Sequence, residues 1–246
     1  MEPKFKLPTE TVDLPSKGLF YPEQSPLASG VIEMKYMTAR EEDILTNQNY
    51  IQKGVVIDKL LQSLIVTEGV DYNSLLSGDK NAIMIAARIL AYGKDYIVDI
   101  AGKQATIDLT ELNNNEIDAS LVTKGQNEFT FNLPNTDNVV TFKLLNHKDE
   151  KAIDREITGL QKINKDNITS STTRLKHLLT SVNGSTENKD IREFVDNYLL
   201  AKDARAIREE YKRVNPDVDL TVYPEGFEEG VDLPITVGFF WPDSRI

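Results

Sequence analysis

The spacing of apolar residues changes several times along this chain, and those changes decide its fold class. From 55 to 66, Ile57, Leu60, Leu61, Leu64 and Ile65 share one helical face, with Asp58, Lys59, Gln62 and Ser63 opposite. From about Asp79 to Tyr92 the pattern is apolar nearly all round and closes at Gly93, which predicts a helix in the middle of the core. Period two replaces it in three places. Ile32, Met34 and Tyr36 alternate with Glu33 and Lys35; Tyr96, Val98 and Ile100 return as Ala105, Ile107 and Leu109; Phe129, Phe131 and Leu133 return as Val140, Phe142 and Leu144 across the Pro134 to Asn138 loop. Beyond Leu145 the helical period resumes in four sets: Ile153, Ile157 and Leu160; Leu175, Leu178, Leu179 and Val182; Ile191, Phe194, Val195 and Tyr198; Ala204, Ile207, Tyr211 and Val214.

The sum is an α+β chain: a mostly helical bundle with a small β-hairpin insertion, an extended N-terminal arm and an irregular C-terminal tail. The divisions fall at 1–30 (arm), 31–94 (strand and helices), 95–146 (β insertion), 147–216 (bundle) and 217–246 (tail). Thr38 and Glu41 have the spacing of a capping box ahead of a short helix that fades by Asn47. The stretch from Glu111 to Asn127 is too rich in Asn and polar residues to assign. At 246 residues and 40% hydrophobic, the chain has enough apolar side chains for one sizeable core with appendages.

The two ends carry the most unusual residues. Pro3, Pro8, Pro15, Pro22 and Pro26 forbid a helix in the arm, yet Leu14, Leu19, Phe20 and Tyr21 cluster inside it. At the other end Phe239, Phe240 and the single tryptophan, Trp241, stand among the last eight residues. Apolar groups of this size need cover. Two destinations are open: the chain's own core, or a neighbouring protein for which these seven residues are the candidate contacts.

Charge narrows the partners. The net charge is −11, and residues 209 to 232 hold eight acidic side chains against Lys212 and Arg213, a local net of −6. Nucleic acid would meet a repulsive average field. The acidic stretch reads either as a solvated face or as a dock for a basic partner. The chain has no cysteine, so neither a disulfide nor a thiolate zinc site is available, which fits synthesis in a reducing cytosol. The first residues lack the apolar core of a signal peptide, and the longest apolar run, Ala82 to Ala91, is about half a membrane span.

Catalytic patterns are weak. Of the only two histidines, His147 stands at a helix entrance next to Lys148 and His177 on the polar side of its helix between Lys176 and Leu178, and both are expected to be solvated. Ser77-Gly-Asp-Lys80 precedes a helix but lacks the second Gly and the Lys-Ser/Thr pair of a phosphate loop. Asp217, Asp219, Thr221, Glu225 and Glu228 fit positions of a calcium loop, but Val222 stands where the turn requires Gly. No catalytic residue, cofactor, metal or small-molecule substrate is expected.

The Leu14-Pro-Ser-Lys-Gly-Leu-Phe-Tyr-Pro22 arm, the strand and Thr38-Ala-Arg-Glu-Glu-Asp-Ile-Leu45 helix after it, the Leu90-Ala-Tyr-Gly93 helix end, the Ser181-Val-Asn-Gly184 turn and the Phe239-Phe-Trp-Pro242 ending occur in one order. In these the chain resembles, over nearly its whole length, the baseplate hub subunit family of T-even, contractile-tailed bacteriophages. The resemblance implies a non-enzymatic part of the tail baseplate in the virion, made in the host cytoplasm and bound to other tail proteins. Its alternative is a chaperone of hub or tape-measure assembly that leaves before the particle is finished. Relatives include some with a Cys pair in a zinc-ribbon-like insertion after the Tyr-Gly helix end; the Tyr96 to Leu109 segment has no Cys, so no metal carries over.

Overall fold

The computed structural model describes residues 7–100, 103–115, 117–118, 122–163, 170–224 and 230–240. The β-branched Thr9–Asp13 stretch forms β1, which pairs antiparallel with β2 (Val31–Lys35), Val12 opposite Ile32. Between them the chain turns back on itself. Lys17 and Gly18 both take positive φ, and a Cβ on Gly18 would stand 2.4 Å from the Ala28 carbonyl oxygen, so the turn closes against the segment that follows it. Residues 7–30 are therefore no free arm: β1 is tied to β2, and Leu14, Phe20, Tyr21 and Leu27 are core.

Thr38 and Glu41 do form a capping box for α1 (Ala39–Thr46); the Glu41 carboxylate accepts from the Thr38 N–H at 3.0 Å. The same carboxylate, buried, also takes bonds from Lys35 at 2.8 Å and Ser63 at 2.7 Å, joining β2 and α3 to the start of α1. Asn47 caps a further short helix, α2 (Gln48–Gln52), and α3 (Val56–Leu64) and α4 (Ser77–Tyr92) follow. α4 ends at Gly93 and buries Ile83, Met84, Ile85 and Ala87.

Period-two stretches lie in strands. β3 (Asp95–Ile100) and β4 (Lys103–Asp108) pair antiparallel, and β5 (Phe129–Asn132) and β6 (Val139–Phe142) do likewise, Phe129 opposite Phe142 with their rings stacked at 5.3 Å. After α5 (His147–Ile163) and α6 (Ser170–Leu178) comes a departure from the helical pattern. Leu179–Val182 is a strand, β7, that pairs with β6 and makes the three-stranded sheet β5-β6-β7. α7 (Asn188–Asn197) packs on β7 as well as on α6, and α8 (Ala201–Val214) follows. The helices after Leu145 thus lean partly on a sheet, where a closed bundle was expected. In the tail β8 (Thr221–Val222) pairs with β9 (Val231–Asp232), and the last described residues, Val237–Phe240, form a 3-10 turn.

With eight α-helices among the described residues and small antiparallel sheets, the fold is α+β. One contiguous buried cluster runs from Leu14 to Phe240 and draws on all five stretches marked out by the sequence. Asp203, on α8 and fully buried, holds the β5–β6 loop by accepting from Asn135 N–H at 2.9 Å, Asn135 Nδ2 at 2.8 Å and Thr136 Oγ1 at 3.2 Å.

The α4 N-terminus abuts the segment after α8 so closely that a Cβ on Gly78 would lie 1.8 Å from the Pro216 carbonyl oxygen. A helical Gly ordinarily costs about 0.5–1 kcal/mol relative to Ala. Here Gly78→Ala is expected to destabilise by about 1–3 kcal/mol, because backbone must move to admit the methyl group. Gly159→Ala, on α5 with open space around it, is expected to stabilise. Opposite shifts of the denaturation midpoint check the pair; matching signs would contradict it.

Candidate functional site

Of the seven candidate contact residues, the structure commits five to the chain's own core. Leu14, Phe20 and Tyr21 are buried, and the Phe20 ring lies 5.9 Å from Phe129 of β5. Leu19 is half-buried against the same core. Phe239 and Phe240 are 0% exposed, and Phe239 meets Tyr96 of β3 at 4.9 Å. Trp241 lies outside the described residues. The physical reason is shared: Phe20 and Phe239 each meet a ring in a sheet of this chain, Phe240 packs edge-on against Phe239, and Tyr21 is buried in the same cluster, so their apolar area is removed from water without a neighbour.

Tyr21 also does polar work. Its hydroxyl donates to Asp79 Oδ2 at 2.6 Å and accepts from the Leu76 N–H at 2.9 Å, while Ser16 N–H donates to Asp79 Oδ1 at 2.9 Å. Burial raises the Tyr21 pKa, the Asp79 charge raises it further, and burial raises Asp79 above the usual carboxylate range despite its two donors. This latch fastens the arm to the first turn of α4. Tyr21→Phe removes two bonds from buried partners and is expected to cost about 1–3 kcal/mol, measured by chemical denaturation. A neutral result would mean that the arm is not fastened there.

The Ser77 to Lys80 segment is used for structure throughout. Ser77 Oγ donates to the Leu145 carbonyl at 3.1 Å and to Glu150 at 3.0 Å, Asp79 holds the arm, and Lys80 donates to Asp58 at 2.9 Å. From the calcium-loop positions, Asp217 Oδ1 accepts from Asn81 at 2.9 Å and from the Val218 N–H at 2.8 Å, and Asp219 Oδ1 accepts from the Thr221 N–H at 2.9 Å; Glu225 and Glu228 lie outside the described residues. Among the described residues no three His, Asp or Glu side chains gather as a metal ion needs. No helix among them is long and apolar enough to cross a membrane.

His147 departs from expectation, being 6% exposed at the start of α5. Its Nδ1 lies 3.2 Å from Lys80 Nζ, its Nε2 3.5 Å from Asp58 Oδ2, and its ring meets Tyr72 edge-on at 4.7 Å. An ammonium only donates, so Nδ1 accepts and the proton of the neutral ring sits on Nε2, toward Asp58. Burial and then the Lys80 charge lower the His147 pKa, and Asp58 offsets them in part. Asp58, placed by sequence on the polar face of its helix, is buried and takes Lys80, Lys151 at 2.8 Å and Tyr72 at 3.1 Å. The cluster has the residue types of an acid–base site, but its imidazole is enclosed and has both nitrogens occupied. Nothing local marked it, because its members come from α3, the loop before α4, α4 and α5. His177 is half-buried, with Nε2 2.9 Å from Glu156.

Part of the accessible apolar surface borders two clefts. Asn115 N–H donates to the Asp217 carbonyl at 2.8 Å and Asp219 N–H to the Asn113 carbonyl at 2.7 Å; past this pairing β4 and β8 diverge. The space between them is a cleft of about 410 Å³, and a second, of about 500 Å³, lies between β3 and β9. The two share Ile107 and Val222 as walls, and at their margins Ile97 is 50% and Tyr223 75% exposed.

No protein-family model, curated protein or solved structure matches the chain.

Proposed function

We propose that this chain is a structural component of the tail baseplate hub of a contractile-tailed bacteriophage, working through protein–protein contacts and catalysing no reaction. The observation that carries the reading is the pair of adjoining clefts between β3–β4 and β8–β9, with two large apolar side chains left open at their margins. The ordered motifs from the Leu14 arm to the Phe239 ending support it from the sequence side. On this reading the partners are other tail and baseplate proteins, the tape-measure protein among the candidates. Nucleic acid, membrane and small molecules are not partners, the net charge of −11 arguing against the first. The chain is made in the host cytoplasm and resides in the virion baseplate, and its helices and hairpins serve as a scaffold for the contact surface.

The acid at the margins of the same clefts favours a second reading, an assembly chaperone that holds a hub or tape-measure segment and is released. Mass spectrometry of purified particles against infected-cell lysate separates the two. The expected result is the chain in finished particles at the copy level of other baseplate proteins. Abundance in lysate with absence from particles would overturn residence in favour of the chaperone, and absence from every tail intermediate would sink both.

A further inference from the structure

We infer that the groove formed by the two clefts is a docking site for a basic, extended segment of a partner protein, apolar at alternate positions. This rests on the proposed role in tail assembly and names the chemistry of one partner segment. Shape and charge argue for it separately.

The floor is hydrocarbon: Ile107, Val222 and Leu233 are buried at its base, while Ile97 and Tyr223 stand open at the margin. Such a floor takes apolar side chains, and covering the two open ones is favourable by area alone. The groove exists because the Asn114–Val218 pairing does not continue into β4 and β8. β3–β4 and β8–β9 are each two-stranded, so among the described residues each strand is paired along one edge only. Unpaired edges beside an apolar floor are what an added strand uses: its backbone meets the edge, and its alternate side chains point down and up.

Charge then selects the occupant. The charged residues lining the first cleft are Asp108, Glu111 and Asp219, and those lining the second are Asp99 and Asp232; among the described residues no Lys or Arg lines either. Asp108 already faces Lys94, whereas Glu111, Asp219 and Asp232 are exposed at the margin. An acidic segment is repelled there, and a second copy of this chain, at net −11, carries the wrong average sign. A segment with Lys or Arg on its upward face matches the margin while its apolar residues match the floor.

The test uses the full chain and three labelled peptides of about eight residues, alternating Lys-Val, alternating Glu-Val and all-Lys, followed by fluorescence anisotropy. Lys-Val is expected to bind, Glu-Val not to bind, and all-Lys to bind about tenfold more weakly than Lys-Val. Glu111→Lys with Asp219→Lys and Asp232→Lys, and separately Ile97→Ser with Tyr223→Ser, are each expected to weaken Lys-Val by about tenfold or more. The thermal midpoint should hold, since all five side chains are exposed; if it moves, Tyr223→Ser alone decides, its ring being 75% exposed. Equal binding of all-Lys and Lys-Val, indifferent to the serine variants, would reduce the groove to a charged surface and overturn the proposal. So would failure of Lys-Val to bind, or a self-association of the chain that the serine variants abolish. Peptide binding by a chain missing from tails and tail intermediates would sink the proposed function alone, and a tail-resident chain that ignores the peptide would sink the docking site alone.

Discussion

Replacing Phe239 and Phe240 together by alanine is expected to leave the protein largely unfolded at room temperature. Each ring is 0% exposed, they meet edge-to-face at 5.3 Å, and Phe239 packs on Tyr96 of β3. Truncating one buried Phe costs about 3–5 kcal/mol from lost transfer energy and the cavity left behind. Two rings in contact need not add exactly. Taken twice, the range is about 6–10 kcal/mol, which exceeds the low end and reaches the middle of the 5–15 kcal/mol that holds a typical domain folded. Far-ultraviolet circular dichroism and the thermal midpoint of the double variant give the answer. A cooperative transition near that of the unmodified chain, together with lost association with tail proteins, would return these rings to the role of interface anchors and contradict their burial.

The demand for cover at Phe20, Tyr21, Phe239 and Phe240 is legible, because aromatics of this size in Pro-rich or terminal segments are costly in water. The identity of the cover is not, since Phe129 and Tyr96 are more than a hundred residues away in sequence from the rings they meet. Local rules did well where the partner is local: the Thr38–Glu41 box, the Gly93 stop and the alternating stretches all lie where their spacing puts them. They failed at Leu179–Val182, where Leu175, Leu178, Leu179 and Val182 share helical spacing but the backbone pairs with β6. Thr180, Ser181 and Val182 are weak helix formers, and extending α6 by the four residues Leu179–Val182 would have left β6 with an open edge; the pairing outweighed the pattern. The clefts were invisible for a related reason. They arise where two segments about a hundred residues apart pair briefly and then separate, and no composition or spacing records a separation.

Asp58→Ala is expected to cost about 3 kcal/mol, the lower end for breaking a buried ion pair, because it leaves buried Tyr72 and His147 and half-buried Lys80 and Lys151 without their carboxylate. Lys80 and Lys151 donate to this carboxylate at 2.9 and 2.8 Å, Tyr72 donates at 3.1 Å, and His147 Nε2 faces it at 3.5 Å. Burial alone would raise the Asp58 pKa, yet the bonds from Lys151 and Lys80 outweigh it and hold the carboxyl below its ordinary value. A carboxylate depressed in the folded state stabilises above its ordinary pKa, and that contribution is lost as pH falls through the folded value. His147 is depressed too, so its contribution is present above the ordinary histidine pKa of about 6.5 and is lost as pH falls below it. Removing Asp58 takes away the group that raises His147 and depresses the imidazole further. The unfolding free energy of Asp58→Ala is therefore expected to fall more steeply than that of the unmodified chain between about pH 7 and pH 5, and the steepening should vanish when His147→Leu is added. Urea denaturation across that range measures all three proteins; parallel slopes would mean that His147 does not sense Asp58, and a loss under about 1 kcal/mol at neutral pH would mean that the knot joining α3, α4 and α5 holds without its anion.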